Sequence, residues 1–410
     1  MQAIRLNITL TCALLSLALA AKAGPPAGAP QAQTSPTAAD YESGAAAYNR
    51  GDHDKAIEYF SKVLALEPRH VQALFGRASA YGNKADYDKA LDDYSKVTGI
   101  DPEAAEAYKY RGQTYARKGE YDKALSDYAR TIALYPRDAD TYYLRGSAYT
   151  HKGLHAKAIR DYSKALELYP RHFDALMDRA TSLTDTGEHD KAIKDYSEGI
   201  TLRPGDDGAY FGRGVAYSRK GEYRKALEDY SRAIAFNPKL AMAYNNRGGC
   251  YADMGRYDNA LKDFSKAIEL EPQDATRYFN RGTTYAKDLK DYDKAINDFS
   301  RALALSPGFA SAYYSRGVTR LNKGDIDDGI KDLTRAIELE PKKADAYYSR
   351  AQAHKEKGDY ASAIADYSKA IDLEPKHTMA YRGRSIVYSR AGESAKAAAD
   401  ENTWLRLRRK

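Results

Sequence analysis

The side chains of this chain that could do chemistry are spaced in ways that argue against a catalytic centre. Cys12 and Cys250 are the two cysteines, and Cys12 stands inside an apolar N-terminal run. A processed chain would keep Cys250 alone, which allows no intrachain disulfide and no cysteine-built metal site. His53, His155 and His189 stand 102 and 34 residues apart, so they share one point of a 34-residue period rather than forming a cluster. Asp92 and Asp93 resemble a carboxylate pair, but adjacent residues on a helix point apart. No glycine-rich phosphate loop, zinc spacing or nucleophile motif is present. The chain is therefore expected to be non-enzymatic, with no catalytic residues, cofactor or metal.

The ionic residues that do recur are two columns of the same period. Arg77, Arg111, Arg145, Arg179, Arg213, Arg247, Arg281, Arg316, Arg350 and Arg384 form one. Asp93, Asp127, Asp161, Asp195, Asp229, Asp263, Asp298, Asp332, Asp366 and Asp400 form the other. The first repeat lacks both, with Ser43 and Tyr59 in their places. Joint presence and joint absence predict an Arg–Asp pair within each repeat. The competing reading is a row of ligand-binding arginines.

The elements that position these columns follow from the period. Prolines recur at 68, 102, 136, 170, 204, 238 and 272, then at 307, 341 and 375. Tyr occurs 36 times against one Trp and nine Phe, the bias left by one short pattern copied many times. With the proline at position 32, the third unit starts at Ala105 and carries Tyr108, Gly112, Tyr115, Gly119, Tyr121, Ala124 and Tyr128 at positions 4, 8, 11, 15, 17, 20 and 24. Units six and seven repeat these columns. Positions 4, 7, 8 and 11 share one helical face, and 17, 20, 24 and 27 share another. Each unit is thus two helices with one apolar stripe apiece. Small residues at 8 and 20 let the axes approach, Gly at 15 ends the first helix, and the proline stops the second. One hairpin cannot bury its stripe alone, so neighbours must stack.

This pattern resembles the tetratricopeptide-repeat (TPR) family, with Tyr often replacing its leading Trp, from Thr37 to about Lys410. The resemblance implies an all-α, right-handed α-solenoid of stacked antiparallel helix pairs, in about eleven 34-residue units. It also implies that first helices line a concave groove through positions 2, 5, 9, 12 and 13. Position 5 is aromatic at Tyr41, Phe75, Tyr143, Phe211, Phe279, Tyr314 and Tyr348. These seven are the candidate partner-binding residues, read as exposed rings that would grip a peptide or a helix of a protein partner. Packing between first helices is the competing reading. The two-carboxylate clamp of some relatives is not carried over, because position 9 holds no Asn.

Departures from the pattern carry expectations of their own. An extra residue within Lys287–Asp291 should lengthen the inter-helix turn of unit eight. Unit nine has Arg320, Ile326, Gly329 and Leu333 where Tyr, Tyr, Ala and an aromatic are usual, which makes it either a soft joint or simple drift. Residues 40–393 are read as the solenoid, and 394–410 as a capping helix and basic tail, with Trp404 over the last seam.

Residues 1–23 read as a secretory signal peptide: Arg5, an apolar run over Ile8–Ala21, then Ala21-Lys22-Ala23. Cleavage after Ala23 would leave no permanent membrane span and would place the protein in the periplasm or outside the cell. An uncleaved anchor is the alternative. Residues 24–39 are rich in Pro, Ala and Gly and are read as a flexible linker. The net charge of +7 is spread among charges of both signs over 30% of the chain, unlike the stripe of a nucleic-acid binder, so no nucleic-acid partner is expected. The functional expectation is a protein-interaction scaffold of the cell envelope. A second reading is a subunit of a polysaccharide synthesis or export complex, because rows of aromatic rings also suit sugars.

Overall fold

The computed structural model describes residues 35–408. The expected signal segment, most of the linker, Arg409 and Lys410 lie outside the described residues. The described chain is an all-α repeat solenoid of paired helices, divided at Leu202 into two bodies. The N-terminal body holds five pairs: α1 (Pro36–Asn49) with α2 (His53–Leu66), α3 (Val71–Asn83) with α4 (Tyr87–Ile100), α5 (Ala105–Arg117) with α6 (Tyr121–Leu134), α7 (Ala139–His151) with α8 (His155–Leu168), and α9 (Phe173–Asp185) with α10 (His189–Leu202). The C-terminal body holds six: α11 (Asp207–Arg219) with α12 (Tyr223–Phe236), α13 (Ala241–Asp253) with α14 (Tyr257–Leu270), α15 (Ala275–Thr284) with α16 (Tyr292–Leu305), α17 (Ala310–Lys323) with α18 (Ile326–Leu339), α19 (Ala344–Lys357) with α20 (Tyr360–Leu373), and α21 (Thr378–Arg390) with α22 (Ser394–Arg408).

The apolar columns make the core within each body. Ala56, Ala90, Ala124, Ala158 and Ala192 at position 20 have no exposed surface. The rings at position 24, such as Phe60, Tyr128, Tyr162 and Tyr230, are buried against them. Burying one such ring stabilises by about 2 kcal/mol, and the neighbouring unit supplies part of its cover. Gly at 15 takes positive φ in nine units, closing the first helix.

Three local expectations are corrected. The first helix starts at Pro36, inside the segment read as linker: Ser35 Oγ accepts the Ala38 N–H at 3.2 Å, and proline follows the cap as the first helical residue. The extra residue of unit eight does not lengthen the loop. It widens the last turn of α15 into a π-turn over Tyr285–Leu289, closed by Lys290 at φ 55°. Unit nine is interlocked rather than soft. Arg320 donates a third hydrogen bond to Asp332, at 2.7 Å, beside the two from Arg316, and Gly329 leaves the space that Leu321 occupies.

All ten Arg–Asp pairs form and are bidentate. Nε and Nη2 donate to the two carboxylate oxygens at 2.7–2.9 Å. In units two, three, five and seven to eleven, Nη1 also reaches a hydroxyl at position 25 of the preceding unit, as from Arg77 to Ser61 at 3.0 Å and from Arg247 to Ser231 at 3.0 Å. Each such guanidinium ties three helices. The arginines are therefore structural clamps, not a ligand-binding row.

Candidate functional site

The seven aromatic residues at position 5 do not present an exposed ladder. Phe75 and Tyr143 are buried, and Tyr41, Phe211, Phe279, Tyr314 and Tyr348 are half-buried. Six of the rings pack on the buried ring at position 24 of their own unit, with centroids 5.5–5.9 Å apart. Tyr41, Tyr143, Phe279 and Tyr348 also lie against the ring at the end of the unit: His70, His172, Phe309 and His377. Lys343 stands over the Tyr314 ring at 4.6 Å. A ring at position 5 is long enough to fold down onto position 24, which supports the packing reading for most of the row.

Where the row is interrupted, an open groove appears. Position 5 of unit seven is Asn245, between the rings of Phe211 and Phe279. Position 9 is Gly249, where an added side chain would meet nothing within 4 Å. The groove there measures ≈ 680 Å³ and is lined by Val215, Ser218, Asn245, Asn246, Asn280 and Thr283, with Phe279 beside them. These residues come from α11, α13 and α15, on the face formed by first helices.

The amides in this groove are held in a chain. Asn280 Nδ2 donates to Asn245 Oδ1 at 3.0 Å, and Asn245 Nδ2 donates to Asn246 Oδ1 at 3.3 Å. Asn246 lies near the hydroxyl of buried Tyr230, as does Ser218. A carboxamide has two N–H donors and a two-lone-pair oxygen, so the chain leaves donors and acceptors unused. That supply matches the alternating N–H and C=O of an extended backbone. Cys250 lies beneath, buried, its thiol 3.4 Å from Ser218 Oγ. Burial pushes its pKa up, which keeps it a neutral packing residue.

A second cleft of ≈ 840 Å³ opens in the N-terminal body beside Val71, Phe75, Val97, Ala104, Lys109 and Tyr135. It is mainly apolar, and half-buried Lys109 is held there by Asp138 at 2.9 Å. Among the described residues, no group of three or more His, Cys, Asp or Glu could hold a metal ion. No described helix is long and apolar enough to cross a membrane. The asparagine groove was missed in the sequence, though the break in the aromatic column at Asn245, with Asn246 and Asn280 one position on, was its available signal.

Family models for tetratricopeptide repeats match most of the chain. One covers 41–105, 77–139, 111–170, 316–376 and 348–410; a second covers 208–240 and 241–274; a third, described as TPR repeat, covers 180–221 and 287–324. No curated protein matches. Among solved structures, a tetratricopeptide repeat protein from Parabacteroides merdae is 20% identical with a TM-score of 0.50, over 61% of this chain and 98% of that one. MamA protein is 29% identical over 42% of this chain and 94% of its own, with a TM-score of 0.40. YrrB, described as a TPR protein with an unusual peptide-binding site, is 25% identical over 45% and 95%, with a TM-score of 0.40.

Proposed function

The chain belongs to the tetratricopeptide-repeat family, and from that premise we propose that it is a non-enzymatic scaffold that holds an extended peptide segment of a protein partner in the groove of units six to eight. The observation that carries this reading is the amide chain from Asn280 through Asn245 to Asn246. Hydrogen bonds fix these carboxamides before any partner arrives, so little side-chain freedom remains to be lost on binding. Phe279, one of the seven position-5 rings, lines the same groove and supplies apolar contact.

This reading puts the partner in the cell envelope. Arg5, the apolar run Ile8–Ala21 and the Ala21-Lys22-Ala23 sequence support export. The test is affinity capture from the organism's envelope extract with residues 24–410 as bait, beside an Asn246→Ala, Asn280→Ala variant. Retention of a protein by the first bait and its loss from the still-helical second is the expected result. Equal capture by both would move binding off this groove.

A further inference from the structure

Three unit boundaries begin their next helix differently from the rest. His70, His172 and His377 immediately precede α3, α9 and α21. In each, imidazole Nδ1 accepts the backbone N–H three residues on, from Ala73, Ala175 and Ala380, at 3.2 Å. The boundaries before α7, α11 and α15 use carboxylates instead, from Asp138, Asp206 and Asp274, at 2.8–3.2 Å. Each capping imidazole also lies 4.8–5.4 Å from the position-5 tyrosine of its unit, Tyr41, Tyr143 or Tyr348.

A ring nitrogen accepts a hydrogen bond only while it carries no proton. The cap therefore belongs to the neutral imidazole with its hydrogen on Nε2. Protonation removes the acceptor and sets a positive charge against a helix N-terminus, which already carries partial positive charge. Aspartate caps undergo no such change near neutrality.

The surroundings of the three rings differ. The Tyr41 ring on α1 stacks on His70, the Glu67 carbonyl at the end of α2 accepts its backbone N–H, and no described carboxylate pairs with the imidazole. Around His172 stand Asp140, Tyr143 and His151 on α7, Asp174 and Asp178 on α9, Lys109 on α5 and Tyr169 before it. Around His377 stand Asp345 and Tyr348 on α19, with the Glu374 carbonyl after α20. Asp140 and Asp345 lie 3.5 Å from the Nε2 of their histidines. They can hold a charged ring in place, but they cannot restore the lost acceptor. His70 is the cleanest of the three.

We propose that the joints at His70, His172 and His377 are acid-sensitive, each loosening the first turn of the helix that follows when its imidazole takes up a proton. The contribution of each cap is present while the ring is neutral and is lost when Nδ1 takes up a proton. The proposal concerns the fold's own joints and stands whether or not the asparagine groove binds peptide.

The experiment is amide hydrogen exchange on the full chain at about pH 7.5 and about pH 5, with protection corrected for the intrinsic rate. Protection of the Ala73, Ala175 and Ala380 amides should fall by about three- to thirtyfold relative to the Asp206-capped Ala209 amide, the span a lost cap implies. In His70→Asp, the response at Ala73 should vanish while the other two persist. An equal change at Ala209, or an unchanged response at Ala73 in His70→Asp, overturns the proposal. Imidazole nitrogen shifts of the unsubstituted protein give an independent check. Nδ1 of His70 should be unprotonated at about pH 7.5, and a proton found there would overturn it equally.

Discussion

Asp263 is buried, and its charge is matched by Arg247 alone, through two bonds of 2.7 and 2.9 Å. Arg247→Ala would leave that carboxylate unpaired and cut the bond to Ser231 as well. A loss of about 3–5 kcal/mol in urea unfolding is expected, with partial recovery when Asp263→Asn is added. A loss below about 1 kcal/mol would show that the clamp is solvated in solution. The pairing was legible because unit one lacks both partners together. The third bond was not, since a serine at position 25 looks like any solvated helix residue. Its one clue was Ala129 in unit three, the unit before Arg145.

Asp178 behaves in the opposite sense. Burial pushes its pKa up to about 6, opposed by a hydrogen bond from Tyr143. A carboxyl raised in the folded state destabilises the fold when ionised. That penalty is fully present above the folded value and fades as pH falls from there towards the ordinary carboxylate value. Asp178→Asn is therefore expected to raise stability at about pH 7.5, on the order of 1–2 kcal/mol, and by roughly half as much at about pH 5. Thermal unfolding at the two pH values checks this, and a gain confined to low pH would contradict it. The aromatic column beside it was legible as a pattern, but how deeply each ring is buried was not. Sequence spacing gives the face of a helix, while the depth to which a ring folds depends on the neighbour beneath. Here that neighbour is the ring at 24, with His70, His172, Phe309 and His377 closing over it.

At the scale of the element, unit two ends its first helix with an alanine at the turn. Ala85 sits at φ 60°, a conformation that costs a side-chain-bearing residue roughly 1 kcal/mol. Ala85→Gly should raise the unfolding free energy by about that amount, and a loss of stability would refute the strain. Unit nine makes the reverse case. Glycine inside α18 is poor for helix propensity, yet a Cβ on Gly329 would stand 2.5 Å from Leu321 Cδ2 and 3.1 Å from the Gly317 carbonyl oxygen. Gly329→Ala should thus destabilise by about 1–3 kcal/mol despite its better propensity, and Leu321→Ala should recover part of that loss. A stabilised single variant would return the site to ordinary drift. The glycine was visible in the sequence, but its partner eight residues earlier was not, because the repeat pattern assigns Leu321 no packing role. The same holds for the π-turn: the inserted residue was plain, while its absorption into α15 depended on Lys290 tolerating left-handed backbone.

At the scale of the molecule, the period of the prolines and the recurring Tyr, Gly and Ala columns made the repeat solenoid readable before any coordinates. A repeat array spends its sequence on contacts between neighbours, and those are what recurrence displays. The proposed site lies where recurrence fails. Asn245, Gly249 and Asn280 break or shift the columns, and these residues line the groove on the first-helix face. The central claim is that this groove, and not the second-helix face, meets the partner. A photo-crosslinking residue placed at Gly249 on α13, and separately at exposed Lys262 on α14, tests it most directly in envelope extract. A protein crosslinked through position 249 and absent from 262, and lost when Asn246→Ala and Asn280→Ala are added, is the result this account predicts. Crosslinking through 262 alone, or a 249 adduct indifferent to the loss of both amides, would contradict it.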